Sequence, residues 1–218
     1  MAWPGLSRRI ERDELTVIKR ADNGDVLSTE INIGGRSLDI IIKRPRRKYL
    51  RQHLAAIFSG SRARRTWIKT WKMLIRGIPC EWPMLLMERR VLGYPDESLI
   101  VFERVPGMTL AAVDLAAIEA EARKTLFFRA GRTLRLIEKM GFTHTDAKST
   151  NWIVFNDQRS GLVPILVDVD GVRHYRWQMM GIERLLRAMR QHTQYTPDDS
   201  YHLCRGYAPY AIIRSEPR

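Results

Sequence analysis

The first half of the chain contains five short apolar segments with the pattern of β-strands. One segment with the pattern of a helix lies between the third and the fourth, and this order limits the folds that the chain can adopt. Asn23–Gly24 and Gly34–Gly35 suit tight turns between the first three segments, and Pro106–Gly107 breaks the chain after the fifth. We therefore predict a five-stranded sheet followed by a different kind of structure. The predicted strands are 15–20, 26–33, 37–43, 82–90 and 98–105.

The segment 61–76 predicts the one helix of this first half, with Ser61 as its N-cap and Gly77 as its end. Basic residues recur along it at helical spacing, and apolar residues recur on the opposite side, which we expect to pack on the sheet. The predicted apolar stripe is Trp67, Ile68, Trp71, Leu74 and Ile75, with Arg64 out of place among them. The predicted basic stripe is Arg62, Arg65, Lys69, Lys72 and Arg76.

The second half is predicted to be mostly helical, and we place the domain boundary so that 1–104 and 105–218 form two parts. A polar loop is expected directly after Gly141, which suits a helix C-cap, and short strands are expected to follow it. The predicted helices are 114–121, 123–140, 178–191 and 199–208, and the predicted strands are 151–155 and 164–169.

Charge is concentrated in one region of the 218 residues, whose formal net charge is +13. Residues 43–90 hold 14 Lys and Arg against Glu81 and Glu88, so this region favours an anionic partner such as a phosphorylated sugar, a phospholipid head group or nucleic acid. Cys80 and Cys204 form no CxxC motif, and no apolar run approaches the roughly 18 residues that span a bilayer. With no signal-peptide pattern at the start, these features favour a reducing cytoplasm.

The polar loop holds an unusual group of side chains in the stretch GFTHTDAKSTNWIVF, residues 141–155. Asp146 is followed at +2 by Lys148 and at +5 by Asn151, and this spacing resembles the protein-kinase catalytic loop. The segment LVDVDG, 17 residues beyond Asn151, resembles the kinase metal-binding triplet, with Asp168 as the magnesium ligand. His144 is expected to pack beneath the loop, because phosphoryl transfer has no step that needs it.

Within that superfamily, the chain resembles the lipopolysaccharide kinases, the Kdo and heptose (Kdo/WaaP) kinases, over most of residues 15–208. The more specific similarity lies in 60–90, with its basic helix and the R-G-I-P sequence before the next strand. The resemblance implies an α+β, bilobal protein kinase-like fold: a five-stranded N-lobe with one helix over 1–104, and a reduced, mostly helical C-lobe over 105–218.

The same resemblance implies a cytoplasmic ATP-dependent phosphotransferase that uses Mg²⁺ and acts on a sugar hydroxyl of the lipopolysaccharide core. The acceptor's phosphates or the anionic inner leaflet of the membrane would then meet the predicted basic stripe. The implied site residues are Asp146 and Lys148 for catalysis, Asn151 and Asp168 for magnesium, and Lys43, Gly24, Glu103 and Val105 for the nucleotide.

The sequence departs from the kinase pattern in two places that keep alternatives open. The turn ADNGDV offers one glycine, Gly24, where a glycine-rich loop is expected, and the helix has no acidic residue to pair with Lys43. Asp168 is one candidate for that partner. An atypical serine/threonine protein kinase, or a pseudokinase-like scaffold for an anionic partner, remains an alternative function.

Overall fold

The computed structural model describes residues 15–22, 24–46, 60–92, 94–174 and 180–208. Contacts between residues divide the chain into two compact units. The first comprises Met1–Trp71 and Glu81–Arg104, and the second comprises Lys72–Cys80 and Val105–Arg218. None of the described helices is long and apolar enough to cross a membrane.

The first unit is built on one antiparallel sheet of five strands, in the order β1-β2-β3-β5-β4. All five predicted strands are confirmed: the first and fourth are shifted by one residue, the second and third are longer, and the fifth starts earlier and ends two residues sooner than predicted. The connection between the fourth and fifth strands is shorter than the predicted strand ends leave it, because Val91 pairs with Tyr94. The strands are β1 (Thr16–Ala21), β2 (Gly24–Ile33), β3 (Arg36–Pro45), β4 (Pro83–Val91) and β5 (Tyr94–Glu103).

Alternation along β5 gives this sheet two apolar faces. Leu99 and Val101 join one cluster with Leu15, Leu27, Ile40 and Ile42. Ile100 and Phe102 point the other way and pack with Ala63 of the helix. A strand that is apolar on both faces is typical of a central strand covered on both sides.

The predicted helix is confirmed as α1 (Arg62–Leu74), but its buried face is not the predicted one. Ser61 caps it as expected, since Ser61 Oγ accepts a hydrogen bond from the Arg64 backbone at 3.0 Å. Ala63, Thr66, Thr70 and Met73 are buried, whereas Ile68 and Ile75 are exposed. Three of these four buried residues are small, whereas the large Trp67 and Trp71 are half-buried and stack edge to face on each other at 5.9 Å.

Three helices and five short strands form the described part of the second unit. The strands make two small sheets, β10-β7 and β6-β8-β9. The helices are α2 (Ala120–Lys139), α3 (Met180–Met189) and α4 (Pro197–Tyr207). The strands are β6 (Met108–Thr109), β7 (Phe142–His144), β8 (Trp152–Asp157), β9 (Gly161–Leu166) and β10 (Val172–His174).

The helix predicted at 114–121 is wrong, and only a single 3₁₀ turn, Leu115–Ala117, forms there. Asp114 caps that turn by accepting from the Ala116 backbone at 3.1 Å. Glu119 then accepts from the backbone of Glu121 and Ala122, both at 2.9 Å, and starts α2 at Ala120. The two N-caps, Asp114 and Glu119, therefore split the segment 114–121, which its apolar pattern had predicted to be one helix.

Two glycines allow α2 and α4 to pack backbone to backbone. A β-carbon on Gly131 would lie 2.0 Å from the Leu203 carbonyl oxygen, and one on Gly206 would lie 2.0 Å from that of Phe128. Arg123 of α2 adds an ion pair with the buried Asp199 of α4, at 2.7 and 2.5 Å. Together these contacts fix the long helix that leads into the polar loop.

Candidate active site

The polar loop of the second unit is held between β7 and β8. Gly141, with a φ of 77°, ends α2 and turns the chain into β7, which pairs with β10. A 3₁₀ turn, Ser149–Asn151, then leads into β8. The stretch expected to be a loop thus contains a short strand and a helical turn, and both ends are anchored in sheets.

Asp146, Lys148 and Asn151 meet at one point, as their spacing predicts. The Asn151 amide nitrogen donates to the Asp146 carbonyl at 2.7 Å and to its carboxylate Oδ2 at 3.2 Å. The Lys148 ammonium lies 3.1 Å from the same Oδ2. The other oxygen, Oδ1, lies 3.4 Å from a guanidinium nitrogen of Arg184 on α3. Arg184 was not predicted, because its position 38 residues from Asp146 leaves no local signal.

These contacts keep the Asp146 carboxyl group ionised. Partial burial alone would raise its pKa, but the hydrogen bond and charge of Lys148, the Asn151 amide and the charge of Arg184 together lower it. A carboxylate of this kind accepts a hydrogen bond readily and keeps a proton poorly. Its electrostatics therefore suit it to orient a hydroxyl group and to take the proton only as the bond to that oxygen forms.

His144 connects the polar loop to the segment that carries Asp168. The ring is buried, its Nδ1 accepts from the Asp146 backbone N–H at 3.2 Å, and its Nε2 lies 2.8 Å from the Asp168 carbonyl oxygen. Since Nδ1 accepts, Nε2 carries the hydrogen and donates it to that carbonyl. Burial lowers the pKa of His144, so the ring is neutral. His144 thus has the structural position that the sequence predicted.

Asp168 follows β9 and begins a tight turn. Its Oδ1 accepts from the Asp170 backbone at 3.3 Å, which caps the 3₁₀ turn Val169–Gly171. Gly171 packs on His144 so closely that a β-carbon there would lie 2.7 Å from the ring's Cε1. Asp170 is therefore part of the turn, and the close contact that requires glycine is made by the residue after it.

The donor atoms at this point suit a hard cation. Asn151 uses its amide nitrogen on Asp146, which leaves its Oδ1 as the atom able to face a metal, and Asp168 adds carboxylate oxygens. Oxygen donors of this type fit Mg²⁺, which takes one or two protein ligands and obtains the rest from water and phosphates. Within the described residues no group of three or more His, Cys, Asp or Glu side chains could hold a metal by itself.

Lys43 lies on β3 of the first unit and has an acidic partner that the sequence did not indicate. Its ammonium forms an ion pair with Glu81, a carboxylate that is 3% exposed, and lies 4.8 Å from the centroid of the Phe102 ring. Glu81 lies two residues before β4, outside the helix in which an acidic partner was expected. One signal was available: Glu81 and Glu88 are the only acidic residues in 43–90, and Glu81 stands in the apolar stretch GIPCEWP.

Gly24 begins β2, beside the turn whose Asn23 lies outside the described residues. Its φ is 142°, and a β-carbon there would lie 2.6 Å from the Arg44 carbonyl oxygen. The close approach of β3 therefore explains the glycine without a ligand. Its neighbour Asp25 is buried and pairs with Arg46 at 2.8 Å.

Glu103 and Val105, predicted to contact the adenine, lie at the end of β5 and just beyond it. The Glu103 backbone N–H donates to Trp82 and that of Arg104 donates to Asp39, so the sheet uses both donors. Val105 is half-buried, and among the described residues its backbone N–H has no main-chain acceptor. Of the N–H groups in this segment, that of Val105 is therefore the best placed to donate to a ligand.

The predicted basic stripe is only partly at the surface. Arg65, Lys72 and Arg76 are exposed, while Arg62 and Lys69 are half-buried. Arg65 donates to the Gly60 carbonyl at 2.8 Å, and Arg76 donates to that of Lys72 at 3.0 Å. Arg64, expected on the apolar side, is also exposed. Three further basic residues of this region, Arg47, Lys48 and Arg51, lie outside the described residues.

No protein-family model matches the sequence. No curated protein matches it either. Its structure is similar to that of WaaP, solved as "WaaP in complex with acyl carrier protein". The likeness has a TM-score of 0.67 and 16% sequence identity, and it covers 98% of this chain and 88% of the WaaP chain. A mixed α/β protein with a five-stranded antiparallel sheet and four described helices therefore has a WaaP-like fold.

Proposed function

We propose that the protein is an ATP-dependent phosphotransferase that phosphorylates a sugar hydroxyl of the lipopolysaccharide core. The observation that carries the proposal is the setting of Asp146, whose carboxylate is held by Lys148 and Asn151 and whose backbone is joined through His144 to Asp168. A polar loop with no catalytic role would not need this many charged and hydrogen-bonding side chains around one carboxylate. The WaaP-like fold supports the choice of reaction.

The residues divide the work of phosphoryl transfer, which depends on positioning and charge neutralisation. Asp146 would orient the acceptor hydroxyl and take its proton, and Lys148 would neutralise charge on the transferred phosphoryl group. Asn151 and Asp168 would hold Mg²⁺, which neutralises the nucleotide phosphates. Lys43, kept in place by Glu81, would bind those phosphates, and the segment at Glu103 and Val105 would receive the adenine.

The test is direct transfer of phosphate in a purified system. The protein is incubated with γ-labelled ATP, Mg²⁺ and core oligosaccharide from cells that lack the gene. We expect label in the oligosaccharide and a mass increase of one phosphate group. Absence of both, with a folded protein and with every core preparation, would refute the function.

A pseudokinase-like scaffold was the alternative of a different class, and one of its two supports is now weaker. The acid missing from α1 is supplied by Glu81, so Lys43 has a partner within its own unit. The other support is unchanged: the turn ADNGDV has one glycine, Gly24, where a glycine-rich loop is expected. Binding of ATP without Mg²⁺, with no transfer to any acceptor, would favour the scaffold.

A further inference from the structure

Arg184 on α3 contacts Asp146, but the proposed function assigns it no role. Its guanidinium approaches Asp146 Oδ1, whereas Lys148 approaches Oδ2. Among the described residues, Asp146 is the only ion-pair partner that Arg184 has. The carboxylate therefore has one cation on each oxygen, and only one of the two corresponds to the catalytic-loop motif.

The contact made by Arg184 is unlike that of an arginine with a structural role. Arg123 forms two short hydrogen bonds to Asp199 and is 17% exposed, whereas Arg184 forms one contact at 3.4 Å and is 46% exposed. An arginine carries five N–H donors, so most of the Arg184 donors have no acceptor among the described residues. Such a guanidinium can bind another anion at small cost.

The helix does not need Arg184 to stay in place. Ile182, Leu185 and Met189 are buried, and Gly181 lies against the backbone of His144 in β7. The α3 backbone is thereby fixed against the strand that leads into the polar loop. Arg184, one turn into the helix, is consequently presented at Asp146 by a rigid element, which is the arrangement that a binding residue requires.

We propose that Arg184 determines acceptor specificity by binding an anionic group of the acceptor, a phosphate or a carboxylate, next to the hydroxyl that is phosphorylated. The inference rests on the proposed function. Because Asp146 would hold the hydroxyl, the cation next to its Oδ1 would lie beside the bound acceptor. The planar guanidinium matches the paired oxygens of either anion and would exchange its weak contact with Asp146 for a bidentate one.

Kinetics on three forms of one core oligosaccharide test the proposal: untreated, stripped of phosphate, and methyl-esterified at its carboxylates. Arg184→Gln should raise KM for the untreated acceptor about tenfold or more, with little change in KM for ATP. The same variant should have no effect on whichever treated form has lost the recognised group, and that form identifies the group. Arg184→Lys should restore part of the affinity.

Arg187→Gln is the matched control, since Arg187 is also exposed on α3 and has no ion-pair partner among the described residues. It should behave as wild type. An equal effect of the two variants would overturn the proposal in favour of a general positive field. A fall in kcat that is the same for all three acceptors, with KM unchanged, would also overturn it, because Arg184 would then act through Asp146 or on the transferred group.

A binding measurement separates this proposal from the proposed function. Inorganic phosphate is titrated into the full-length protein, and the side-chain Nε–H resonance of Arg184, assigned by its loss in Arg184→Gln, is followed by NMR. It should shift at lower phosphate concentration than that of Arg187. If no oligosaccharide is phosphorylated, the proposed function fails while this titration still decides the anion site. Equal responses of the two arginines would refute the site.

Discussion

Asp146 is the residue on which the proposed chemistry depends, and replacing it by asparagine removes only the charge. Asp146→Asn keeps a side chain that can hydrogen-bond to Asn151, so the loop should stay folded. We expect turnover to fall about 10²- to 10⁴-fold, because a positioned base is lost, and nucleotide affinity to stay near that of the wild type. Full activity of Asp146→Asn in the purified assay would show that the assignment is wrong.

Glu81 is predicted to act through Lys43. Glu81→Gln leaves the ammonium without its counter-charge, so Lys43 should become less well positioned and nucleotide KM should rise about tenfold, which corresponds to the loss of one charge-assisted hydrogen bond. Glu88→Gln is the control, since Glu88 lies on the neighbouring β4 and bonds to Ser61 and Arg90 instead. An identical effect of both substitutions would mean that Glu81 only stabilises the sheet.

Local spacing could predict the loop residues but not their distant partners. Asp146, Lys148 and Asn151 lie within six positions, so one loop conformation brings them together. Glu81 and Lys43 are 38 residues apart, and so are Arg184 and Asp146. Which carboxylate faces which cation is decided by the course of the whole chain, and no local pattern carries that information.

At the scale of elements, the packing of α2 on α4 makes a strong prediction about glycine. Gly131→Ala or Gly206→Ala would place a methyl group about 2.0 Å from a backbone oxygen, and a backbone cannot move aside as a side chain can. We expect each to destabilise the protein by about 1–3 kcal/mol or more through overpacking, measured by denaturant unfolding. Gly161→Ala is the control: a β-carbon at this position would meet no neighbouring atom, and only the positive φ of 70° opposes the substitution.

The exposed part of the basic stripe gives a prediction about membranes. Arg65, Lys72 and Arg76, changed together to Glu, should abolish salt-sensitive sedimentation with anionic liposomes, since each basic residue near such a surface contributes about 1 kcal/mol. The matched control is the triple change to Glu of Arg132, Arg190 and Arg205, exposed arginines of the second unit. Retained liposome binding in the first triple variant would show the stripe to be a solvated face.

Element boundaries were predictable where capping residues and turns marked them and unpredictable where packing decided the outcome. Ser61 and Gly141 mark helix ends as expected. Ile68 and Ile75 are exposed because mostly small residues form the buried face of α1. A prediction from hydrophobicity places large apolar residues on the buried face instead. The helix predicted over 114–121 fails for a different reason: its apolar spacing was followed, and the N-caps at Asp114 and Glu119, which split the segment, were not recognised.

At the scale of the molecule, acid stability should depend on Asp199. Partial burial raises the pKa of this carboxyl, but hydrogen bonds from Arg123 and Thr196 lower it below its ordinary value overall. A pKa that is lower in the folded than in the unfolded protein stabilises the fold at pH values above the unfolded pKa, near 4, and this contribution is lost as pH falls through the lower, folded pKa. Asp199→Asn should weaken the fold at pH 7 and flatten the pH dependence of unfolding below about pH 5, measured by urea unfolding across pH.

The pairing of Lys43 with Glu81 has a consequence for control. In many protein kinases the acid that holds this lysine is carried by a mobile helix, and moving that helix switches the enzyme off. Here lysine and acid belong to the same unit, with Lys43 on β3 and Glu81 two residues before β4, so the acid is not carried by α1. If the proposed function holds, movement of α1 would therefore not break the ion pair of Lys43, and this route of switching would be absent.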